Sequence, residues 1–174
     1  PTEVFPTVSF HHAYGIIFGL LLPLSRGIVS DATPFHGLDA WLARVEESTS
    51  LTWLVVTPAL LRAWSEYEVY HPLNGKAVRI LSAGAPLPAA VAKRVADSTG
   101  AEVYEIFGSS ETGVAAYRRP LQTDEWKMFA PVHIELAGDV GMLVSSPAVP
   151  AGTKASLGDS AELLPDGRFR LLPR

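Results

Sequence analysis

Six consecutive residues, Gly108-Ser109-Ser110-Glu111-Thr112-Gly113, place hydroxyls, a carboxylate and two glycines side by side. Hydroxyls and backbone N–H groups in such a turn can hold a phosphate. Glu111 can ligate a Mg²⁺ that neutralises it, because this ion favours carboxylate together with phosphate oxygens. A capped turn with Glu111 in water would use the same residues. Upstream, Ser82-Ala83-Gly84-Ala85-Pro86 lacks bulky side chains, so a planar ring can lie on its backbone; a tight strand-to-helix turn that needs Gly84 is the purely structural alternative. Phe10-His11-His12-Ala13-Tyr14-Gly15 and Thr57-Pro58 have a similar mixture of small and polar residues. His11 and His12 are adjacent, so in extended backbone they point to opposite sides and do not share a metal. One of them is expected to face a crevice. With no cysteine in the chain, a zinc site is not expected. His36, His71 and His133 belong to no constellation.

Other chemistries lack their motifs. The sequence contains neither G-x-x-x-x-G-K-[ST] nor H-E-x-x-H. A nucleophile elbow would read G-x-S-x-G, and Gly108-Ser109-Ser110-Glu111-Thr112 fails at its last position. The strand–turn context around Ser110 leaves a serine hydrolase as an alternative.

These segments need elements that bring them together, and the sequence predicts strands before each of them. Val4 to Phe10 reads as a strand, Tyr14 to Leu24 as a buried helix, and Gly27 to Ser30 as a short strand. From Leu38, the residues Leu38, Trp41, Leu42 and Val45 recur on one helical face. Thr52 to Val56 is a buried strand, and Pro58 opens a helix where its missing N–H costs nothing. Val78 to Ser82 is the next strand. Pro88 starts a helix that Gly100 ends, and Glu102 to Phe107 is a further strand. Strands alternating with helices imply right-handed βαβ units and a parallel sheet. The carboxyl ends of its strands share one edge, outside which ligands bind. After about residue 118 short strands follow without helices: Pro131 to Leu136, Gly141 to Ser145, Ser160 to Leu164 and Arg168 to Leu172. Pro165-Asp166-Gly167 supplies a turn among them. The expected fold is α/β, with a parallel sheet and flanking helices over residues 4–118 and a small antiparallel β-rich layer over 119–174. The corresponding division is into subdomains 1–118 and 119–174.

Composition narrows the partners. The 174 residues are 48% hydrophobic and 18% charged, enough to bury a core. With 14 Lys and Arg against 18 Asp and Glu, the net charge of −4 argues against nucleic acid, which needs a basic face. The apolar run Ala13 to Leu24 is too short to span a bilayer and lacks the marks of a signal peptide. The absence of cysteine is compatible with a reducing compartment, and a cytoplasmic location is expected. The chain opens on Pro1-Thr2-Glu3 without Met and stops at Arg174 after a strand pattern, so both ends are expected to be cut.

Taken together, these residues resemble the acyl-AMP-forming (adenylate-forming) synthetases, which include acyl- and aryl-CoA ligases. His12-Ala13-Tyr14-Gly15 looks like the family's H-x-Y-G segment, followed by an apolar helix. Ser82-Ala83-Gly84-Ala85-Pro86-Leu87 looks like its adenine-binding loop. Phe107-Gly108-Ser109-Ser110-Glu111 matches its Tyr-Gly-x-Thr-Glu motif with two conservative departures. Gly158-Asp159 matches its Thr-Gly-Asp motif with Leu157 in place of Thr. Asp166-Gly167-Arg168-Phe169 up to Arg174 looks like the run into the interdomain hinge, with Pro173 where Gly is usual. The motifs occur in the family's order over nearly the whole chain.

The resemblance implies part of the large N-terminal domain of an ATP-dependent carboxylic acid–thiol ligase. Gly84, Ala85 and Pro86 would line the adenine, Phe107 would stack on it, and Gly108 and Ser109 would belong to the same nucleotide site. Ser110 would touch the α-phosphate and Glu111 would ligate Mg²⁺. Asp159, with Arg174 nearby, would hold the ribose. His12, Tyr14 and Gly15 would border the acyl pocket, with His12 counted among the catalytic groups beside Ser110 and Glu111. ATP, AMP and Mg²⁺ are the implied ligands; coenzyme A or a carrier-protein pantetheine is the thiol acceptor. A fatty or aromatic acid is expected, because no carboxylate is placed to hold an amine. The family's phosphate loop and its C-terminal catalytic Lys have no counterpart here: Lys76, Lys93, Lys127 and Lys154 lie in other contexts. The chain alone is therefore expected to be inactive. A non-catalytic nucleotide- or acyl-binding module is the alternative from another class.

Overall fold

The β-branched and aromatic run Leu51–Val56 forms the strand from which the first part of the molecule is built. The computed structural model describes residues 2–66, 73, 76–138 and 141–173. It divides into two compact units, Pro1–Glu105 and Ile106–Arg174.

In the first unit the strands are β1 (Thr2–Pro6), β2 (Val29–Ser30), β3 (Leu51–Val56), β4 (Val78–Ser82) and β5 (Glu102–Ser109), the last continuing past the unit boundary. They pair in the order β5-β4-β3-β1-β2, and every pairing among them is parallel. Parallel neighbours need crossover helices. These are α1 (Ala13–Ile16), a π-helical turn at Ile17–Leu21 and α2 (Leu22–Arg26), then α3 (Leu38–Glu47), α4 (Pro58–Ser65) and α5 (Ala89–Thr99). Trp41, Leu42 and Val45 of α3, Leu61 and Trp64 of α4, and Val91 and Val95 of α5 pack on Leu54, Val56, Ile80 and Val103. Strand alternation keeps Val4, Val55 and Leu81, also buried, out of that cluster. The connection from β1 runs to one side of β1 and that from β3 to the other, which makes the β1/β3 junction the switch point where ligands of such sheets bind.

The second unit is antiparallel. Its strands β6 (Gly113–Arg118), β7 (Glu125–Met128), β11 (Ala161–Leu163) and β12 (Arg168–Leu171) run β6-β7-β12-β11, and β8 (His133–Leu136), β9 (Met142–Ser145) and β10 (Ala155–Leu157) form a separate three-stranded sheet. Ala115, Ala116, Trp126, Ile134, Met142, Val144 and Phe169 make its core. The α/β architecture with a parallel sheet, flanking helices and an antiparallel β-rich part is the one expected.

Several boundaries differ from expectation. β1 ends at Pro6 instead of running to Phe10, because the Ser9 hydroxyl accepts the His11 N–H at 3.2 Å and the Ser9 carbonyl accepts that of His12 at 3.1 Å. Such local bonds compete with a ladder. β2 loses Gly27 and Ile28, whose N–H groups return to the Pro23 carbonyl to close α2. β6, β7 and β10 are strands where none was expected: β6 is small-residue-rich and β7 alternates charges with Trp126 and Met128.

One surface lysine is structural. The Lys76 ammonium donates to the carbonyls of Val45 at 2.9 Å, Ser48 at 2.6 Å and Glu46, at the negative end of the helix dipole. Lys93 pairs with Asp97 one turn on, both mostly exposed. Lys76→Met should therefore lower stability by about 1–2 kcal/mol, and Lys93→Met by less than about 0.5 kcal/mol. Urea midpoints at unchanged slope measure both.

Candidate functional site

At the switch point, the segment after β1 is held to β3 by Thr7, whose N–H and hydroxyl both donate to the Val55 carbonyl, at 2.9 and 3.1 Å. The chain then turns into α1. His12 precedes that helix in extended conformation and supplies the carbonyl for the Ile16 N–H at 2.9 Å. His11 and His12 are both exposed. Gly15 is buried where a Cβ would lie 2.2 Å from the Ser9 carbonyl oxygen, so no other residue lets the helix start so close to the loop. Tyr14 donates its hydroxyl to the Leu81 carbonyl at 2.5 Å and meets Phe18 edge to face at 5.2 Å. Burial pushes the Tyr14 hydroxyl well above its ordinary pKa of 10.0, the bond to Val56 opposing this more weakly. It stays protonated and keeps donating.

At the carboxyl end of β3, Thr57 caps α4 by accepting the Leu60 N–H at 3.3 Å. At that of β4, Ser82 and Ala83 are buried while Gly84, Ala85 and Pro86 are exposed. The Ser82 Oγ has no hydrogen-bond partner among the described residues. A Cβ on Gly84 would meet nothing within 4 Å, so this backbone lies open.

In the second unit, Gly108 to Gly113 forms a turn between β5 and β6. A Cβ on Gly108 would lie 2.0 Å from the Gly113 carbonyl oxygen. Hydroxyls lock the turn. Thr112 Oγ1 accepts the Ser109 N–H at 3.0 Å and donates to the Gly113 carbonyl at 3.1 Å. Ser109 Oγ accepts the N–H groups of Glu111 and Thr112, each at 3.2 Å. Ser146 donates to the Thr112 carbonyl at 2.7 Å. Ser110 and Glu111 are left exposed at the apex. The Ser109 side chain, and secondarily the backbone of Glu111 itself, hold the Glu111 carboxyl below its ordinary 4.5, so it is ionised at neutral pH.

The expected residues are thus distributed over several turns: His12, Tyr14, Gly15 and Gly84 to Pro86 in the first unit, Phe107 to Glu111 and Asp159 in the second. Phe107 is half-buried, 5.5 Å from Trp126 and 5.7 Å from Phe169 between ring centroids. Asp159 is half-buried after β10, where its carbonyl oxygen would be 3.0 Å from a Cβ on Gly141. Arg174 and His71 lie outside the described residues. Thr112, 1% exposed, was not among the expected site residues. Its only sequence signal is a hydroxyl three positions after Ser109. A cleft of about 660 Å³ opens among residues including Lys127, Phe129, Pro131, His133 and Arg168, and none of the expected site residues lines it. Among the described residues no group of three or more His, Cys, Asp or Glu side chains could hold a metal, and no helix is long and apolar enough to cross a membrane.

The family model of AMP-binding enzymes matches residues 2–167. Among solved structures, a benzoate CoA ligase from Burkholderia xenovorans LB400 is similar with a TM-score of 0.81 at 22% identity, over 97% of this chain and 40% of that one. A malonyl-CoA ligase in a complex with methylmalonyl-CoA and AMP gives 0.76 at 23% identity over 99% and 44%. An anthranilate CoA ligase in complex with anthranoyl-AMP gives 0.78 at 17% identity over 97% and 39%. These identities carry the fold, and the chain spans about 40% of the length of these ligases. No curated relative matches the chain.

The lowered Glu111 value has a checkable origin. Removing the hydroxyl in Ser109→Ala should return the Glu111 carboxyl toward 4.5, read by NMR titration of that side chain. Because the folded value is the depressed one, the stabilising contact is complete above 4.5 and is lost as the pH falls through the lowered value. Unchanged titration in the variant would place the cause elsewhere.

Proposed function

The chain belongs to the AMP-binding enzyme family, and from that membership we propose that its residues serve an ATP-dependent carboxylic acid–thiol ligase. A carboxylate is a poor electrophile at neutral pH. In the proposed reaction its oxygen attacks the α-phosphorus of ATP, the bond to the bridging oxygen breaks, and pyrophosphate leaves. A thiol, from coenzyme A or a carrier-protein pantetheine, then attacks the acyl carbon, and AMP leaves with the electron pair. The first step brings two anions together, so it needs charge neutralisation and alignment more than proton transfer.

The observation that carries the proposal is the turn at Gly108 to Gly113. It presents an exposed hydroxyl, Ser110, next to an ionised carboxylate, Glu111, on a backbone held by part-buried bonds to the Ser109 and Thr112 hydroxyls. Ser110 fits as a donor to the α-phosphate. A Mg²⁺ held by Glu111 would lower the repulsion between the anions, and a site with one protein carboxylate suits this ion, which keeps phosphate and water oxygens as its other ligands. Gly84, Ala85 and Pro86 offer an unobstructed surface for the adenine, with Phe107, Gly108 and Ser109 assigned to the same nucleotide. Asp159 is assigned to the ribose hydroxyls, with Arg174 beside it.

His12, Tyr14 and Gly15 are assigned to the acyl pocket. With its hydroxyl committed to Leu81 and its edge to Phe18, Tyr14 offers an apolar ring. That favours a fatty or aromatic acid, and two of the similar solved ligases are named for benzoate and anthranilate. We assign the complete reaction to a protein longer than these 174 residues, in which further groups supply the phosphate loop and a catalytic lysine.

In that longer protein, Glu111→Gln should lower acid-dependent ATP–pyrophosphate exchange by about 10²–10³-fold, the scale for removing one electrostatic contact to the transition state. The side chain is exposed, so the variant should remain folded, with a melting temperature lowered only slightly by loss of the charged contact to Ser109. Exchange at the wild-type rate would refute the assignment of Glu111. Turnover by the 174-residue chain alone would refute the need for groups outside it.

A further inference from the structure

Leu87 lies between Pro86 and Pro88, neither of which has an N–H, so its amide is the one backbone donor in that tripeptide. Its acceptor is Oε1 of Glu105, at 2.8 Å. Leu87 and Glu105 are each 3% exposed. Glu105 follows Val103 on the buried side of β5, and Val103 belongs to the apolar cluster under the helices. A carboxylate in such a position is costly to bury unless it is bonded, and an apolar residue would continue the strand pattern at no such cost. Its presence points to what it holds.

That is the loop after β4. Ser82, where the loop begins, is the register partner of Glu105 in the parallel ladder. Leu87, where it ends, is bonded by the Glu105 side chain. Ala83 is tied more loosely, its N–H donating to the Val56 carbonyl at 3.4 Å. Between the two anchors only Gly84, Ala85 and Pro86 are exposed.

We propose that Glu105 is a positioning residue: by gripping the Leu87 amide beside Ser82, it fixes the span of the Gly84–Pro86 backbone on which an adenine lies. The proposal rests on the nucleotide reading above. Glu105, buried beneath the loop, acts through the backbone and touches no ligand.

Four variants test it in the 174-residue chain. Glu105→Leu removes the acceptor, Glu105→Gln keeps one at the same reach, and Glu105→Asp keeps the charge one methylene short. Val103→Ala weakens the same strand without touching the loop. Amide exchange at Leu87 and the Kd for AMP by calorimetry are read in each. In Glu105→Leu and Glu105→Asp, Leu87 exchange should rise and AMP affinity fall by about tenfold or more. Glu105→Gln should stay within about threefold of wild type in both. Val103→Ala should lower the melting temperature with Kd unchanged. Should Glu105→Leu not fold, Glu105→Asp against Glu105→Gln makes the same comparison. Unchanged Leu87 protection would overturn the proposal, as would equal loss of affinity in Val103→Ala, or faster exchange with unaltered Kd. If the wild-type chain binds no AMP, the nucleotide reading falls, and with it the adenine role, while Leu87 exchange still decides whether Glu105 holds the loop.

Discussion

The backbone of β5 and that of β6 touch where Gly108 meets Gly113, with no room for a Cβ at the first position. The roles proposed for Ser110 and Glu111 depend on that contact. It draws the turn so tight that the N–H groups of Ser109, Glu111 and Thr112 are satisfied by two side-chain hydroxyls of the same turn. Backbone donors drawn out of reach of a strand ladder need other partners, and here the partners come from the turn itself. The two residues at the apex keep their side chains exposed, and they are the hydroxyl and carboxylate that suit an anion and its counter-ion. Gly15 repeats the device in the first unit, where helix α1 begins against the Ser9 carbonyl. In both places a missing side chain brings backbone against backbone, and a neighbouring polar residue is left facing outward.

Beneath the exposed segments lie polar groups that do no chemistry. Thr7 ties the loop after β1 to β3, Tyr14 ties the first helix to β4, Thr112 closes its own turn, and Glu105 holds the end of the loop after β4. Each is aimed at a backbone atom. Preorganisation of this kind favours ligands whose charge develops during reaction, since the surrounding dipoles need not move to meet it. The exposed residues of each loop are accordingly few: Gly84 to Pro86 in one, Ser110 and Glu111 in the other.

Much of this was readable in the chain. Helix α3 shows its buried face in the spacing of Leu38, Trp41, Leu42 and Val45, and Pro58 marks the start of α4 where its missing N–H costs nothing, because both signals are local. The turn that exposes Ser110 and Glu111 is legible for the same reason, as polar residues bounded by glycines. What escaped depends on contacts distant in sequence or on side chains of ordinary type. Glu105 reads as one more strand residue until its carboxylate is seen on an amide 18 residues away. Strand β6 hides because Ala115 and Ala116 carry no β-branched signal, and β7 because Glu125 and Lys127 dilute its apolar alternation. Strand β1 is shorter than its sequence pattern implies, since Ser9, an ordinary alternating position, turns the chain by its own hydroxyl.

The central claim is that these turns exist to hold an adenosine phosphate. Titrating the ¹⁵N-labelled chain with AMP tests it most directly. The account predicts saturable amide shifts concentrated at Gly84 to Leu87 and at Gly108 to Gly113. Shifts confined to the cleft around Lys127 and His133, or no saturable shift in either turn at millimolar AMP, would contradict it.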